Sequence, residues 1–349
     1  MKLIRHLSFG LIAGIATAAA WAENAPAAEA LAETAVVEEQ PVYVLIVQPQ
    51  PTPETPENNT WVDRRRKDVQ TTIRGWAHAM DDWFGTPDPN DPASANLRIL
   101  IDTEWNRYDD FSVKPRIRGK VKLPVLQKRL NVVFGDDSLD NQPQKTGHLY
   151  DENIHQNKTF DKTQTRESNS SLALRWSDIG KYTGIDTDAD IGIRSGNDLY
   201  VRLKGSKDWR LGGDFNTRLE QIYRYGIDSK HYVRTNWEVR HAPSEKPFIA
   251  NHLHVQYAND EKHENWSWGN SLYRQHDFPK NKRLNYGVYS GGEIKNKKAK
   301  LNSYGPFVSW RQPVWREWLF VQTELNYLNN RNENRSHHPG VLVRVEALF

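Results

Sequence analysis

From Leu97 to the last residue, apolar positions recur every second residue. LRILIDTEW sets Leu97, Ile99, Ile101, Thr103 and Trp105 on one face. VKPRIRGKVKL sets Val113, Ile117, Val121 and Leu123 against Lys114, Arg116, Arg118, Lys120 and Lys122. LYVRLKG sets Leu199, Val201 and Leu203 against Tyr200, Arg202 and Lys204. HYVRTNWEVR sets Val233, Thr235, Trp237 and Val239 against Arg234, Asn236, Glu238 and Arg240. The closing GVLVRVEALF sets Val341, Val343, Val345, Ala347 and Phe349 against Leu342, Arg344, Glu346 and Leu348. Successive side chains on a strand point to opposite faces, so each segment predicts a strand with one apolar and one charged face. The pattern predicts about 14 strands, with about 12 as the alternative, starting near residues 97, 113, 129, 171, 188, 198, 209, 231, 248, 265, 284, 300, 317 and 340.

Upstream the period is different. In TWVDRRRKDVQTTIRGWAHAMDDWFG, residues Val62, Val69, Ile73, Trp76, Met80 and Trp83 recur mostly at three or four. That spacing predicts an amphipathic helix over 60–86, opened by Thr60 with Asp63 and closed by Gly85 and Pro87. Its stripe either packs on the strand domain or lies on a membrane surface or in a barrel mouth, with Arg64, Arg65, Arg66 and Lys67 near phosphates. Residues 23–59 are rich in Ala, Pro and Glu and predict a flexible linker, interrupted by the apolar island VYVLIV at 42–47. Residues 1–22 have a basic start, an apolar core and the small-x-small site Ala20-Trp21-Ala22, the pattern of a cleaved secretory signal peptide.

Composition narrows the classes. Lys+Arg 47 against Asp+Glu 44 leaves +3, too balanced to argue for a nucleic-acid partner. The mean hydropathy of −0.79 excludes a bundle of membrane-spanning helices. There is no cysteine, so disulfides, thiolate catalysis and Cys-ligated metals are all excluded.

The solvent of the apolar faces decides the fold. The strands are long enough to span hydrocarbon when tilted, and an even count lets the sheet close without unpaired edges. Trp105, Trp176, Trp209, Trp266, Trp268, Trp310, Trp318 and Tyr327 cluster near strand ends, as interfacial girdles do. If the last strand ends in the periplasm, the mostly short Pro- and Gly-bearing connectors fall on that side and longer polar ones, including 137–169, on the other. These features predict an all-β, transmembrane antiparallel barrel over 95–349. The dyad pattern of Val341, Val343 and Val345 ending on Phe349 resembles the C-terminal insertion signal of Gram-negative outer-membrane β-barrels. The resemblance implies outer-membrane lipid around the wall and recognition of the last strand by the barrel-assembly machinery. DDWFG, VKLPVLQKRLNVVFG and WREWLF are similar to segments of an uncharacterised group of exported barrel proteins, from which no activity carries over.

The charged faces then point inward. Lys114, Arg116, Arg118, Lys120 and Lys122 lie about 7 Å apart and repel pairwise by about 2.4 kcal/mol at an effective dielectric of 20. They need water, counter-ions or facing acids such as Asp102 and Glu104. With Arg202, Lys204, Arg234, Glu238 and Arg240 they predict a charge-lined interior with a basic wall. Two readings stay open: passive permeation favouring small anionic solutes, or a salt-bridged, plugged structural barrel. An adaptor role for the helix is a third.

Enzyme chemistry finds little support. His252 and His254 face inward with no serine in the same dyad, and Asp260, Glu261 and His263 are rim residues of the kind loops collect. No catalytic residue, cofactor or metal site is expected. His337 with His338, and Asp151 with His155, read as solvated loop residues, and Gly212 with Gly213 as a strand kink.

Overall fold

The computed structural model describes residues 60–84, 93–125, 130–135, 171–177, 184–194, 197–243, 247–259 and 264–349. The expected signal peptide, the linker with its 42–47 island, Gly85, Pro87, the 137–169 stretch with Asp151 and His155, and Asp260, Glu261 and His263 lie outside them.

Among the described residues one helix, α1 (Trp61–Phe84), precedes the strands β1 (Ser94–Asn106), β2 (Asp110–Lys122), β3 (Leu130–Phe134), β4 (Ser171–Trp176) and β5 (Asp186–Arg194). Then follow β6 (Asp198–Gly212), β7 (Phe215–Gly226), β8 (Lys230–His241), β9 (Phe248–Asn259) and β10 (Glu264–Phe278). The chain ends with β11 (Lys282–Lys295), β12 (Lys298–Ala299), β13 (Ser303–Val314), β14 (Arg316–Asn330) and β15 (Arg335–Leu348). Neighbours in sequence pair antiparallel, and β15 returns to β1. Because β12 is only a two-residue extension at the tip of β11, the wall is a closed ring of 14 strands. The ring closes through β15 and β1, and between β2 and β3 the described ladder runs over Gly119–Lys122 alone.

The seam is held to its end. Phe349 donates its N–H to the Leu97 carbonyl at 2.8 Å and accepts from the Leu97 N–H at 3.2 Å. The register places Ile101 opposite Val345 and Pro115, and Asp102 opposite Arg344 and Lys114. Side chains of directly opposed residues share a face, so one parity is apolar around the ring and the other charged. The apolar parity points outward, exposing Ile117, Leu172, Leu174, Ile191, Ile193, Leu199, Leu203, Val288 and Leu325.

Several boundaries differ from the pattern. No break falls at 206–208: β6 runs on to Gly212, and the turn lies at Gly213 and Asp214. Positive φ at both glycines (112° and 55°) makes that tight turn, where a side chain would be strained. Strand β15 begins at Arg335, so His337 and His338 are strand residues with ring partners. His337 stacks on Tyr327 and meets Tyr304 edge-on, while His338 meets Tyr108 edge-on at 4.7 Å. With those residues taken into the strand, the connectors at the rim away from α1, such as 107–109 and 227–229, are as short as 279–281 at the α1 rim. The described connectors at the two rims do not differ in length, and the 137–169 stretch on which the expected asymmetry chiefly rests lies outside the described residues.

The helix lies outside the wall. Ala77 is fully buried and, with Met80, packs on Val121, Leu123, Val132, Ala95 and Phe134. Val121, Val132 and Phe134 share the outward parity of Ile117, so they are covered there only because the helix sits on them. Trp76 and Trp83, expected on the packed stripe, lie off it and are exposed. Thr60 caps the helix as expected. Its N–H donates to Asp63 Oδ2 at 3.1 Å and its hydroxyl to the same oxygen at 2.6 Å.

Candidate functional site

The interior is built from rows of residues that the register sets side by side. Asn131, Arg175, Asp190, Arg202, Arg224 and Tyr232 form one row across β3 to β8. In it Asp190 accepts from Arg175 Nε at 2.9 Å and is also paired with Arg202. The Arg224 guanidinium lies over the Tyr232 ring, 4.6 Å from its centroid.

At the β15–β1 seam the same motif recurs twice. Asp102 accepts from Arg344 at 2.7 and 2.8 Å and is bonded by Arg116. Glu346 is paired with Arg98 and accepts from Arg311 at 3.0 Å. Arg311 in turn lies over Phe320, 3.8 Å from its centroid. Each of these three carboxylates is shared by two guanidiniums. Two charges taken out of water repel unless an opposite charge lies between them, and the shared acids supply it.

The register also places every residue of the expected interior. Lys114 donates to Glu104 at 3.2 Å, and Arg116 meets Asp102. Arg118 donates to the Ile117 carbonyl at 2.9 Å. Lys120 and Lys122 follow on the same parity, towards the α1 rim. Arg202 meets Asp190, and Lys204 lies 3.4 Å from Glu220. Arg234 donates to Asn236 and Gln256 at 3.1 Å each. Glu238 accepts from Arg240 at 2.6 Å and from the Tyr273 hydroxyl at 3.3 Å. The basic wall on β2 is thus interleaved with acids from β1.

Sequence reasoning missed Arg175, Glu220 and Arg311, while Arg344 and Glu346 lie on the charged face it turned inward. Their alternation was readable, but their partners lie on other strands, and only the register between strands brings them together. A second juxtaposition appears only in the register: Ser271, His252 and Glu238 stand side by side on β10, β9 and β8. Serine, imidazole and carboxylate in a row are the parts of a nucleophilic triad. Here the carboxylate is engaged by Arg240 and Tyr273, and all three residues are buried.

Val341, Val343 and Val345 point outward, and the Phe349 ring sits 6.1 Å from that of Trp318. Among the described residues no group of three or more His, Cys, Asp or Glu side chains is placed to hold a metal ion.

No family model matches the chain, and no curated protein matches it. Solved structures similar in fold include outer-membrane proteins. OmpT of Vibrio cholerae aligns at 9% identity and a TM-score of 0.43, covering 76% of this chain and 99% of that one. OmpF of Salmonella typhi, in complex with daunomycin, aligns at 9% identity and 0.45, covering 74% and 98%. OprB of Pseudomonas putida aligns at 12% identity and 0.39, covering 74% and 92%.

Proposed function

We propose that the chain is a bacterial outer-membrane barrel, exported through a cleaved signal peptide and inserted by the barrel-assembly machinery, that passes small anions along a positively biased interior. The membrane reading is supported by the outward belt. Leu172, Ile191, Val288 and Leu325 are each more than half exposed on the outward parity. Aromatic residues ring both ends, with Trp105, Phe111 and Tyr327 at one and Trp176, Trp209, Phe278 and Trp315 at the other. An exposed apolar belt of this extent is not stable against water. No described helix is long and apolar enough to cross a membrane.

One observation carries the ion preference: Asp102, Glu346 and Asp190 are each shared by two arginines. Cations meet a net positive wall there, while an anion adds to an existing set of donors. No reacting group is required for this role, and we read the barrel as non-enzymatic. The test is single-channel recording of the purified barrel in a planar bilayer under a KCl gradient. A chloride-selective current that loses its selectivity when Lys114, Arg116 and Arg118 are neutralised supports the reading. A cation-selective current overturns it.

A closed, structural barrel is the second reading, and burial favours it. Asp102, Arg344, Glu346, Asp190 and Arg234 are each under 5% exposed, packed against one another more than against water. A properly folded barrel that gives no current in the same recordings selects this reading.

A further inference from the structure

The helix is tied to the wall at both ends. Near its start Arg316 at the head of β14 holds Asp63. Arg66 lies over the Trp318 ring and donates to the Leu348 carbonyl at the end of β15. Near its finish Asp81 accepts from the Val125 N–H at 3.0 Å, just beyond β2. From Asp63 to Asp81 a helix rises about 27 Å. That carries α1 along one rim, from the head of β14 to the end of β2, with Ala77 and Met80 seated on the outer face of β1 to β3.

The helical period then fixes what the two flanks face. At about 100° per residue, Trp61, Trp76 and Trp83 fall within one sector about 60° wide, which also holds Thr72. They are 69%, 66% and 83% exposed. Asp63 and Asp81, which reach the rim connectors, lie on the opposite flank, and exposed Lys67 and Arg74 lie beside them. The packed stripe of Ile73, Ala77 and Met80 runs between the two flanks. With one flank directed at the rim turns, the tryptophan flank is directed along the wall toward the apolar girdle.

Three exposed indoles on one side of an amphipathic helix are costly in water. At a bilayer boundary they are favourable, because the ring enters the acyl edge while the N–H stays among headgroups. The outward belt continues directly into this flank, so one lipid surface reaches both.

We propose that α1 is an interfacial anchor. Trp61, Trp76 and Trp83 seat in the headgroup boundary of the phospholipid leaflet beside this rim, while Lys67 and Arg74 stay on the aqueous side. The inference rests on the membrane reading of the barrel and adds a contact that the barrel itself does not require.

The chain has no cysteine, so single substitutions give unique labelling sites. Thr72→Cys samples the tryptophan flank without removing an indole, and Trp76→Cys samples it directly. Leu203→Cys marks the outward belt and Lys67→Cys the opposite flank. Each full-chain variant is labelled with an environment-sensitive fluorophore and reconstituted into phosphatidylethanolamine/phosphatidylglycerol vesicles. The expected result is blue-shifted emission and loss of iodide quenching at 72, 76 and 203, with water-like emission and full quenching at 67. Water-like labels at both 72 and 76 beside a lipid-like label at 203 overturn the anchor and leave the membrane barrel standing. Water-like labels at 72, 76 and 203 overturn both.

Discussion

Arg316 forks onto Asp63: its Nε and Nη2 meet Oδ1 and Oδ2, each at 2.8 Å. The pair joins residues 253 positions apart, the first turn of the helix and the head of β14. Asp63 thus does two jobs, because the same carboxylate also takes the Thr60 cap. Planar bidentate pairing is the strong form of a carboxylate contact.

A pH dependence follows. The bond from Arg316, then that from Thr60, holds the Asp63 carboxyl well below its ordinary value of 3.8. A depressed value means that the docked helix is favoured above the ordinary value and loses that support only as pH falls through the lowered one. Helix docking is therefore expected to survive acidification to about pH 4, where free carboxylates are half protonated. Asp63→Asn should release the helix start at neutral pH. Hydrogen exchange over Trp61–Gln70 reads both: slow at pH 7 and pH 4 in the native chain, fast at both in the variant.

Removing Asp102 should cost far more. Asp102→Asn leaves Arg116 and Arg344 facing each other inside the wall without the carboxylate between them. Loss of one partner of a buried ionic set is typically worth about 3–5 kcal/mol. Asp208, paired with Arg218 near an open rim, is the control, because exposed pairs contribute about 1 kcal/mol or less. Urea unfolding in detergent or vesicles compares the two. Equal losses would show that the interior is wet and screened.

What the sequence disclosed, and what it hid, divides along the same line as those two sites. Strand number, the outward set and the inward set follow from a period of two, which each segment displays alone. The helix follows from a period of three to four. Which guanidinium meets which carboxylate depends on register, and for the seam pairs that register is fixed only when β15 pairs with β1. Arg344 and Asp102 are 242 positions apart, and no local pattern joins them. The tryptophans of α1 were misplaced for a related reason: the apolar stripe was wider than the strip of wall it covers. The small Ala77 and the polar Asp81 went to the wall, and Trp76 and Trp83 remained outside.

Gly192 is fixed by close approach. A Cβ there would lie 2.4 Å from the Leu172 carbonyl oxygen and 2.5 Å from Ala173 Cβ. The register sets Gly192 between Ala173 and Tyr200, two members of a small apolar cluster inside the charged wall. Gly192→Ala should destabilise the barrel by about 1–3 kcal/mol, the usual cost of overpacking. Adding Ala173→Gly should recover only part of it, since the backbone oxygen remains. Unfolding of the single and double variants checks this; full recovery would place the strain in side chains alone.

The last residue permits a separation of folding from insertion. The main chain of Phe349 closes the seam through its two bonds with Leu97, while its ring only adjoins Trp318. Phe349→Ala keeps both backbone bonds, so a barrel refolded in detergent should lose no more than about 1 kcal/mol. If the ring is what the assembly machinery reads, the same variant should be strongly depleted from the outer membrane of cells while folding normally in vitro. Removing residues 345–349 deletes the Val345–Ile101 and Glu346–Leu100 steps of the seam, along with the acid shared by Arg98 and Arg311. That truncation should fail to fold in either setting. Heat-modifiable gel mobility of the refolded proteins, set beside membrane fractionation of cells, distinguishes the cases. Normal membrane levels of Phe349→Ala would remove the ring from any insertion signal and leave the residue a purely structural part in closing the ring.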